Sequence, residues 1–284
     1  MQIISDLNYK IIRLYLSTSH ATMPSIQTDL PVALSIAGSD SGAGAGIQAD
    51  LLTFAAHGVY GTTAITCLTA QNPLGVSGVQ ATAPAFVLEQ CRQVTVHYRP
   101  KALKTGMLLN VEIVEAVAAF IAEAKIPAVV DPVMVASSGA TLLSAEAVSA
   151  VRRQLLPLAA VVTPNLDEAS ILLGRKALGG KHGPAEALEL AKRFGVPFLV
   201  KGGHAEGDTL VDALAWPDGR SLMLTAQRIP GIDTHGSGCT LSAAITAQLA
   251  RGETLAQAVQ LAHTYLQNGM KNSMQVVGLK HIRH

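Results

Sequence analysis

Residues 32–58 read VALSIAGSDSGAGAGIQADLLTFAAHG, and the architecture follows from this stretch. Val32 to Ala37 is a short apolar run that gives way to glycine-rich sequence, as expected of a buried strand. Ile47, Leu51, Phe54 and Ala55 then fall at i, i+4, i+7 and i+8, the stripe of an amphipathic helix that Gly58 can close. The unit is strand, small-residue loop, helix.

Working outward, the alternation repeats. Strands are predicted over Val59 to Cys67, Ala102 to Thr105, Ala128 to Asp131, Ala160 to Thr163 and Phe198 to Lys201. Helices are predicted over Ala85 to Val96, Val111 to Ala124, Ser144 to Leu155, Asp167 to Leu173 and Ala185 to Phe194, the last with Pro184 at its start. Strands alternating with helices predict an α/β fold: a three-layer αβα arrangement around a central, mostly parallel sheet. After Gly203 the pattern changes. Leu210 to Trp216 and Ser221 to Leu224 flank the turn Pro217-Asp218-Gly219, which predicts an antiparallel hairpin at one edge. Helices over Gly238 to Ala250 and Leu255 to Gln267 follow. No composition break, repeat or low-complexity tract divides the chain, so residues 30–284 are expected to form one domain. Residues 1–29 carry basic and Ser/Thr residues but no long apolar stretch ending in small residues. They are read as a poorly ordered extension rather than a secretory signal.

Composition narrows the function. With 49% hydrophobic and 14% charged residues in 284, the chain can bury a large core, and global disorder is excluded. A net charge of +1 with scattered basic residues, and only 4% aromatics, argue against nucleic acid and for a small-molecule partner. No uncharged run reaches the roughly 18 to 20 residues that span a bilayer, so no membrane partner is expected. Cys67, Cys91 and Cys239 form no CxxC pair. Neither a disulfide framework nor a cysteine zinc site is indicated, which suits a reducing cytoplasm.

In open α/β sheets, ligands bind beyond the carboxyl ends of the strands. The loops to search are Gly38 to Asp50, Asp131 to Gly139, Thr163 to Glu168 and Lys201 to His204. Gly42-Ala43-Gly44-Ala45-Gly46-Ile47 lacks the third glycine of G-x-G-x-x-G, and Gly180-Lys181 is followed by His182, so dinucleotide and Walker fingerprints both fail. The loop between Asp40 and Asp50 could bring a planar ligand close to backbone atoms, or could merely permit tight helix packing.

In Asp233-Thr-His-Gly-Ser-Gly-Cys-Thr240, Gly236 and Gly238 let successive amides turn toward one point at a helix start, which makes an anion hole. Cys239 there is expected to have a lowered pKa; the plainer alternative is a small buried core residue. Asp131 and Glu168 both follow strands and could converge on a Mg²⁺ bridging phosphate oxygens, although each alone is more often a cap or a surface charge. Lys201 could add a point charge against nucleotide phosphates. Phosphoryl transfer is the leading idea.

Taken in order, GSDSGAGAGIQAD, TAQN (Thr69 to Asn72), KTGML (Lys104 to Leu108), DPVM, TPNLDEA, KGGH and DTHGSGCTLSAA resemble the hydroxymethylpyrimidine/phosphomethylpyrimidine kinases of thiamine biosynthesis, which have the ribokinase-like fold. The resemblance runs from about Val32 to about Gln267. It implies a kinase that uses ATP and Mg²⁺ to phosphorylate 4-amino-5-hydroxymethyl-2-methylpyrimidine and then its monophosphate, working as a homodimer. It further implies that Gln71 bonds the aminopyrimidine, whose pocket takes in Gly38, Asp40, Ala45, Asp50 and Met107. Cys239 would be the base, with Gly236, Ser237 and Gly238 stabilising the transferring phosphoryl group. Asn165 and Glu168 resemble the N-x-x-E magnesium motif, with Asp131 beside them, and Thr163 and Lys201 lie toward ATP. Two departures stand out: Ser137 occupies a position that often holds lysine, and GLKHIRH replaces a Gly-Pro-His ending. Pyridoxal kinase is the nearest alternative on this fold. A binder without catalysis and a Cys239-His235 hydrolase are the alternatives from other classes.

Overall fold

The computed structural model describes residues 29–135, 142–203 and 208–284. Residues 1–28 of the expected extension, Ser137 and His204 lie outside them.

The first unit forms as read. Strand β1 (Val32–Asp40) leads into helix α1 (Gly46–Ala56), and β2 (Tyr60–Asn72) returns parallel to β1. Further parallel strands are β4 (Ala102–Thr105), β5 (Ala128–Val130), β6 (Val161–Val162) and β7 (Phe198–Val200). Between them run α2 (Pro84–Tyr98), α3 (Val111–Ala124), α4 (Ala145–Ala150), α5 (Leu166–Leu173) and α6 (Gly183–Phe194). The predicted hairpin is present as β8 (Thr209–Ala215) and β9 (Ser221–Gln227). Helices α7 (Ser237–Ala250) and α8 (Leu255–Lys271) follow.

Three features differ from the expectation. A strand β3 (Gly75–Ala81) folds back antiparallel on β2, so the nine-stranded sheet, ordered β3-β2-β1-β4-β5-β6-β7-β8-β9, has an antiparallel hairpin at both edges. All seven β3 residues are exposed, which removes the in/out alternation that would have marked the strand. The helix expected over Ser144 to Leu155 ends in a wider π turn at Val151–Leu155, just before Pro157. The chain closes with a small hairpin, β10 (Met274–Val276) and β11 (Leu279–His281).

Alternation along each strand sorts the core into two layers. Leu34, Ile36, Leu103, Val130 and Phe198 pack against α2 to α6, whereas Val129, Val161 and Leu199 pack against α7 and α8. Ala33 and Ala102 also point to this second face, where they meet Phe54 of α1 and Ala243 and Ala247 of α7. Every parallel strand therefore ends on one rim, and Asp40, Gln71, Met107, Asp131, Thr163 and Lys201 lie at or just beyond those ends.

Candidate active site

Three groups of side chains line this rim. At the β1–α1 loop the Asp40 carboxylate accepts from the Gly42 amide at 2.8 Å and the Ala45 amide at 2.9 Å. It also lies 3.3 Å from Nε2 of His235. Burial would raise Asp40, but His235 and the two amides outweigh it and hold its carboxyl below the usual range. Gln71 ends β2 with its amide 3.1 Å from the same His235 nitrogen. Gly38, Ala45 and Met107 sit around this group, with Met107 against Gly38.

The second group surrounds Cys239 at the start of α7. Neither α7 nor α1 has a side-chain N-cap, so the first amides of both helices are free to serve a ligand or a neighbouring group. The Gly46 amide, opening α1, faces the Cys239 sulfur and favours charge on it. Gly236 has φ +80, and a Cβ there would lie 1.9 Å from the Gly44 carbonyl oxygen. Only glycine lets the two loops dock this closely.

Here one expectation is corrected. Surrounding protein pushes the Cys239 thiol up to about 11, although Lys104 and the Gly46 amide act in the opposite direction. The helix start does favour thiolate, but desolvation of the sulfur is the larger effect. The residue nonetheless keeps partial exposure. Cys67 and Cys91 are fully buried, and their thiols are raised as well.

Asp50 also departs from its expected role. Its carboxylate is 0% exposed, held 2.7 Å from the equally buried Lys104 ammonium and accepting from Ser35 Oγ. It forms the floor between sheet and α1 rather than a substrate contact. Burial alone would depress Lys104, but Asp50 and, more distantly, Cys239 and Asp131 keep it above its ordinary value and charged.

The third group lies over β5, β6 and β7. Asp131 accepts from Lys201 Nζ at 3.1 Å and from the Thr163 hydroxyl at 3.3 Å. Gly238 faces both members of the pair, since a Cβ there would lie 3.2 Å from Lys201 Nζ and 3.5 Å from Asp131 Oδ2. Asn165 caps α5 in a reciprocal box: its side chain accepts from the Glu168 amide and Glu168 accepts from the Asn165 amide, both at 2.9 Å. The other Glu168 oxygen takes the Met134 amide at 3.0 Å. Burial raises Glu168 to about 7, against Lys201 and with Asp131 adding to the rise.

The structure thus gathers Asp40, Gln71, Ala45, Met107, Cys239, Gly236, Ser237, Gly238, Asp131, Thr163, Asn165, Glu168 and Lys201 on one rim and sets Asp50 beneath it. Two participants had no assigned place there in the sequence reading. Lys104 sits inside an apolar run, where a charge without visible partner is itself a signal. His235 was weighed only as a partner of Cys239, whereas its ring bonds lead to Asp40 and Gln71.

A mostly parallel αβα sheet with polar side chains and two uncapped helix starts gathered on one rim has the architecture of a ribokinase-like small-molecule kinase. The phosphomethylpyrimidine kinase family profile matches residues 40–282. The chain is 47% identical over 247 residues to the hydroxymethylpyrimidine/phosphomethylpyrimidine kinase of Synechococcus elongatus, covering 87% of this chain and 94% of that one. Among solved structures it is similar to the phosphomethylpyrimidine kinase of Clostridium difficile (TM-score 0.73, 37% identity, covering 84% and 98% of the two chains). It is also similar to the pyridoxal kinase of Staphylococcus aureus in complex with AMP-PCP and pyridoxal (TM-score 0.80, 32% identity, 90% and 93%). The chain belongs to the phosphomethylpyrimidine kinase family, and it is a phosphotransferase. Among the described residues no helix is long and apolar enough to cross a membrane.

Proposed function

We propose that this kinase uses ATP to phosphorylate the hydroxymethyl group of 4-amino-5-hydroxymethyl-2-methylpyrimidine and then converts the monophosphate to the diphosphate, for thiamine biosynthesis. The observation that carries this reading is the docking of two loops: Gly44 touches Gly236, the Gly46 amide faces the Cys239 sulfur, and His235 touches Gln71. This docking supports a reading in which a base held at Gln71 would lie beside both a proton acceptor and an anion hole.

In the reaction, the thiolate form of Cys239, which Lys104 and the Gly46 amide favour against desolvation, would take the substrate hydroxyl's proton as its oxygen attacks the terminal phosphorus of ATP, and ADP leaves. The amides around Gly236, Ser237 and Gly238 hold the equatorial oxygens of the phosphoryl group in transit. Lys104, buried below, favours charge on the sulfur. Thr163, Asn165 and Lys201 face the nucleotide side, where Lys201 can move its ammonium from Asp131 to phosphate.

The donor set fits Mg²⁺. Asp131 and Glu168 follow the neighbouring strands β5 and β6 as buried carboxylates, and Mg²⁺ is commonly held by one or two carboxylates with water and substrate phosphates. No cluster of three or more metal-binding side chains occurs among the described residues; Asp131 and Glu168 would hold the ion together with substrate phosphates and water. Mg²⁺ held there would neutralise charge developing on the phosphates.

The exposed apolar side chains Leu74, Val76 and Val79 at the β2–β3 hairpin support a homodimer, which light scattering tests, and the three free cysteines support a cytoplasmic setting. The functional test is incubation of the purified chain with ATP and either the hydroxymethylpyrimidine or pyridoxal, resolving mono- from diphosphate. Pyrimidine diphosphate is the expected product; pyridoxal phosphate alone would overturn the reading.

A further inference from the structure

Gln71 has its backbone fixed at both ends, since its amide donates to Ser41 Oγ at 2.8 Å and its carbonyl accepts from the same hydroxyl at 2.9 Å. Its side-chain amide is what remains to be oriented. A primary amide presents one donor and one acceptor along the edge that reads a base, and a half-turn about its last bond exchanges them. Gln71 alone does not determine which base edge it reads.

His235 meets that amide with a single nitrogen. Nε2 lies 3.1 Å from the nitrogen end of the Gln71 side-chain amide, whose oxygen and nitrogen a half-turn exchanges, and 3.3 Å from Asp40 Oδ2. One ring nitrogen either donates or accepts, so it cannot take a proton from the amide while giving one to the carboxylate. The carboxylate decides between them. Asp40 accepts only, is 5% exposed, and is anchored by the Gly42 and Ala45 amides, so a bare Nε2 would set lone pair against lone pair. A proton on Nε2 satisfies Asp40 and would set N–H against NH₂, so it requires the Gln71 amide to make that half-turn, bringing its oxygen toward the ring and directing its NH₂ away.

The ring cannot easily escape this arrangement. The His235 amide donates to Asp233 Oδ1 at 2.9 Å, the Asp233 amide donates to the Lys280 carbonyl at 3.0 Å, and a Cβ on Gly44 would come within 2.8 Å of the ring. Asp40 and Asp233 are the carboxylates that face it, and both favour its protonation.

We propose that His235, with its proton fixed by Asp40, is a specificity-determining positioning residue that sets the order of donor and acceptor on the Gln71 amide. This order admits a 4-aminopyrimidine and rejects its 4-oxo counterpart, whose ring nitrogen and exocyclic group exchange donor for acceptor. The inference rests on the pyrimidine-kinase reading above.

The experiment compares kcat/KM for 4-amino-5-hydroxymethyl-2-methylpyrimidine and for its 4-oxo analogue in the unaltered enzyme, His235→Ala and His235→Asn, with thermal unfolding as the control for folding. The unaltered enzyme is expected to prefer the amino compound, and both variants to lose at least about tenfold of that preference, chiefly through KM for the amino substrate. Equal losses on both substrates, with the ratio unchanged, would overturn the proposal and leave His235 a structural role. If the unaltered enzyme phosphorylates neither pyrimidine, the functional reading fails instead. Should the variants not fold, nitrogen-15 NMR of the unaltered protein reads the ring directly: a protonated Nε2 at neutral pH is expected, and an unprotonated one refutes the arrangement.

Discussion

Replacing Lys104 with methionine should destabilise the enzyme by an amount that depends on pH in a defined way. Lys104 and Asp50 are both 0% exposed and 2.7 Å apart, so the substitution strands a buried carboxylate whose other side-chain partner is the Ser35 hydroxyl. Leaving that charge unpaired costs about 3–5 kcal/mol. Asp50 can avoid the cost by taking up a proton. From an unfolded pKa near 3.9 and about 1.36 kcal/mol per unit, protonation costs roughly 4 kcal/mol at pH 7 and about 1.5 kcal/mol at pH 5. The cheaper route sets the penalty, so destabilisation should shrink from about 4 to about 1.5 kcal/mol on acidification. The sign is that of a carboxylate with a raised folded pKa: its stabilisation is complete below the unfolded value and lost as pH rises through the folded one. Urea unfolding at pH 5 and pH 7 measures this, with unchanged m-values confirming a common unfolding reaction. Combining Lys104→Met with Asp50→Asn should recover all but about 1–2 kcal/mol at pH 7. A penalty equal at both pH values would refute the reasoning, since lost packing alone has no such dependence.

Cys239→Ala should lower kcat by about 10² to 10⁴ with little change in pyrimidine affinity, and near-full activity would remove the sulfur from proton transfer. Glu168→Gln should raise the Mg²⁺ concentration needed for half-maximal rate; an unchanged titration would take Glu168 out of the metal site. Because burial lifts Glu168 to about 7, stability carried by its protonated form is lost as pH rises through 7. The melting temperature of Glu168→Gln relative to the unaltered enzyme should therefore improve between pH 5 and pH 8. Gly236→Ala, which would force a Cβ to within 1.9 Å of the Gly44 oxygen at φ +80, should abolish turnover while far-UV circular dichroism stays close to that of the parent. Retained activity would show that the two loops need not touch.

Legibility in the sequence tracked burial. ALKT and VEIVEAVAAFIAEA were bounded as β4 and α3 to the residue, because apolar runs and period-3.6 stripes record a buried face. GVSGVQA carries no such record, since every residue of β3 is exposed, and the terminal hairpin at Met274 is exposed in the same way. The residues gathered on the rim were legible where a glycine or a strand end announced them. What eluded sequence reasoning was the direction of side chains and the balance of opposing effects. Asp50 looks the same on paper whether it faces a ligand or Lys104, and the thiol of Cys239 is moved upward by desolvation that only packing reveals. His235 is assigned its partners by residues 195 and 164 positions away, a separation that local motif reading does not bridge.

The contact between Gly44 and Gly236 has a consequence for synthesis. The β1–α1 loop is synthesised before the neighbouring strands, and the Gly236 loop only after the whole sheet through β9. A growing chain can therefore lay down β1, α1 and their parallel neighbours before the residue that Gly44 packs against exists. The Gly44–Gly236 contact forms only once α7 arrives, so shortened products that keep much of the sheet lack it and are expected to transfer no phosphate.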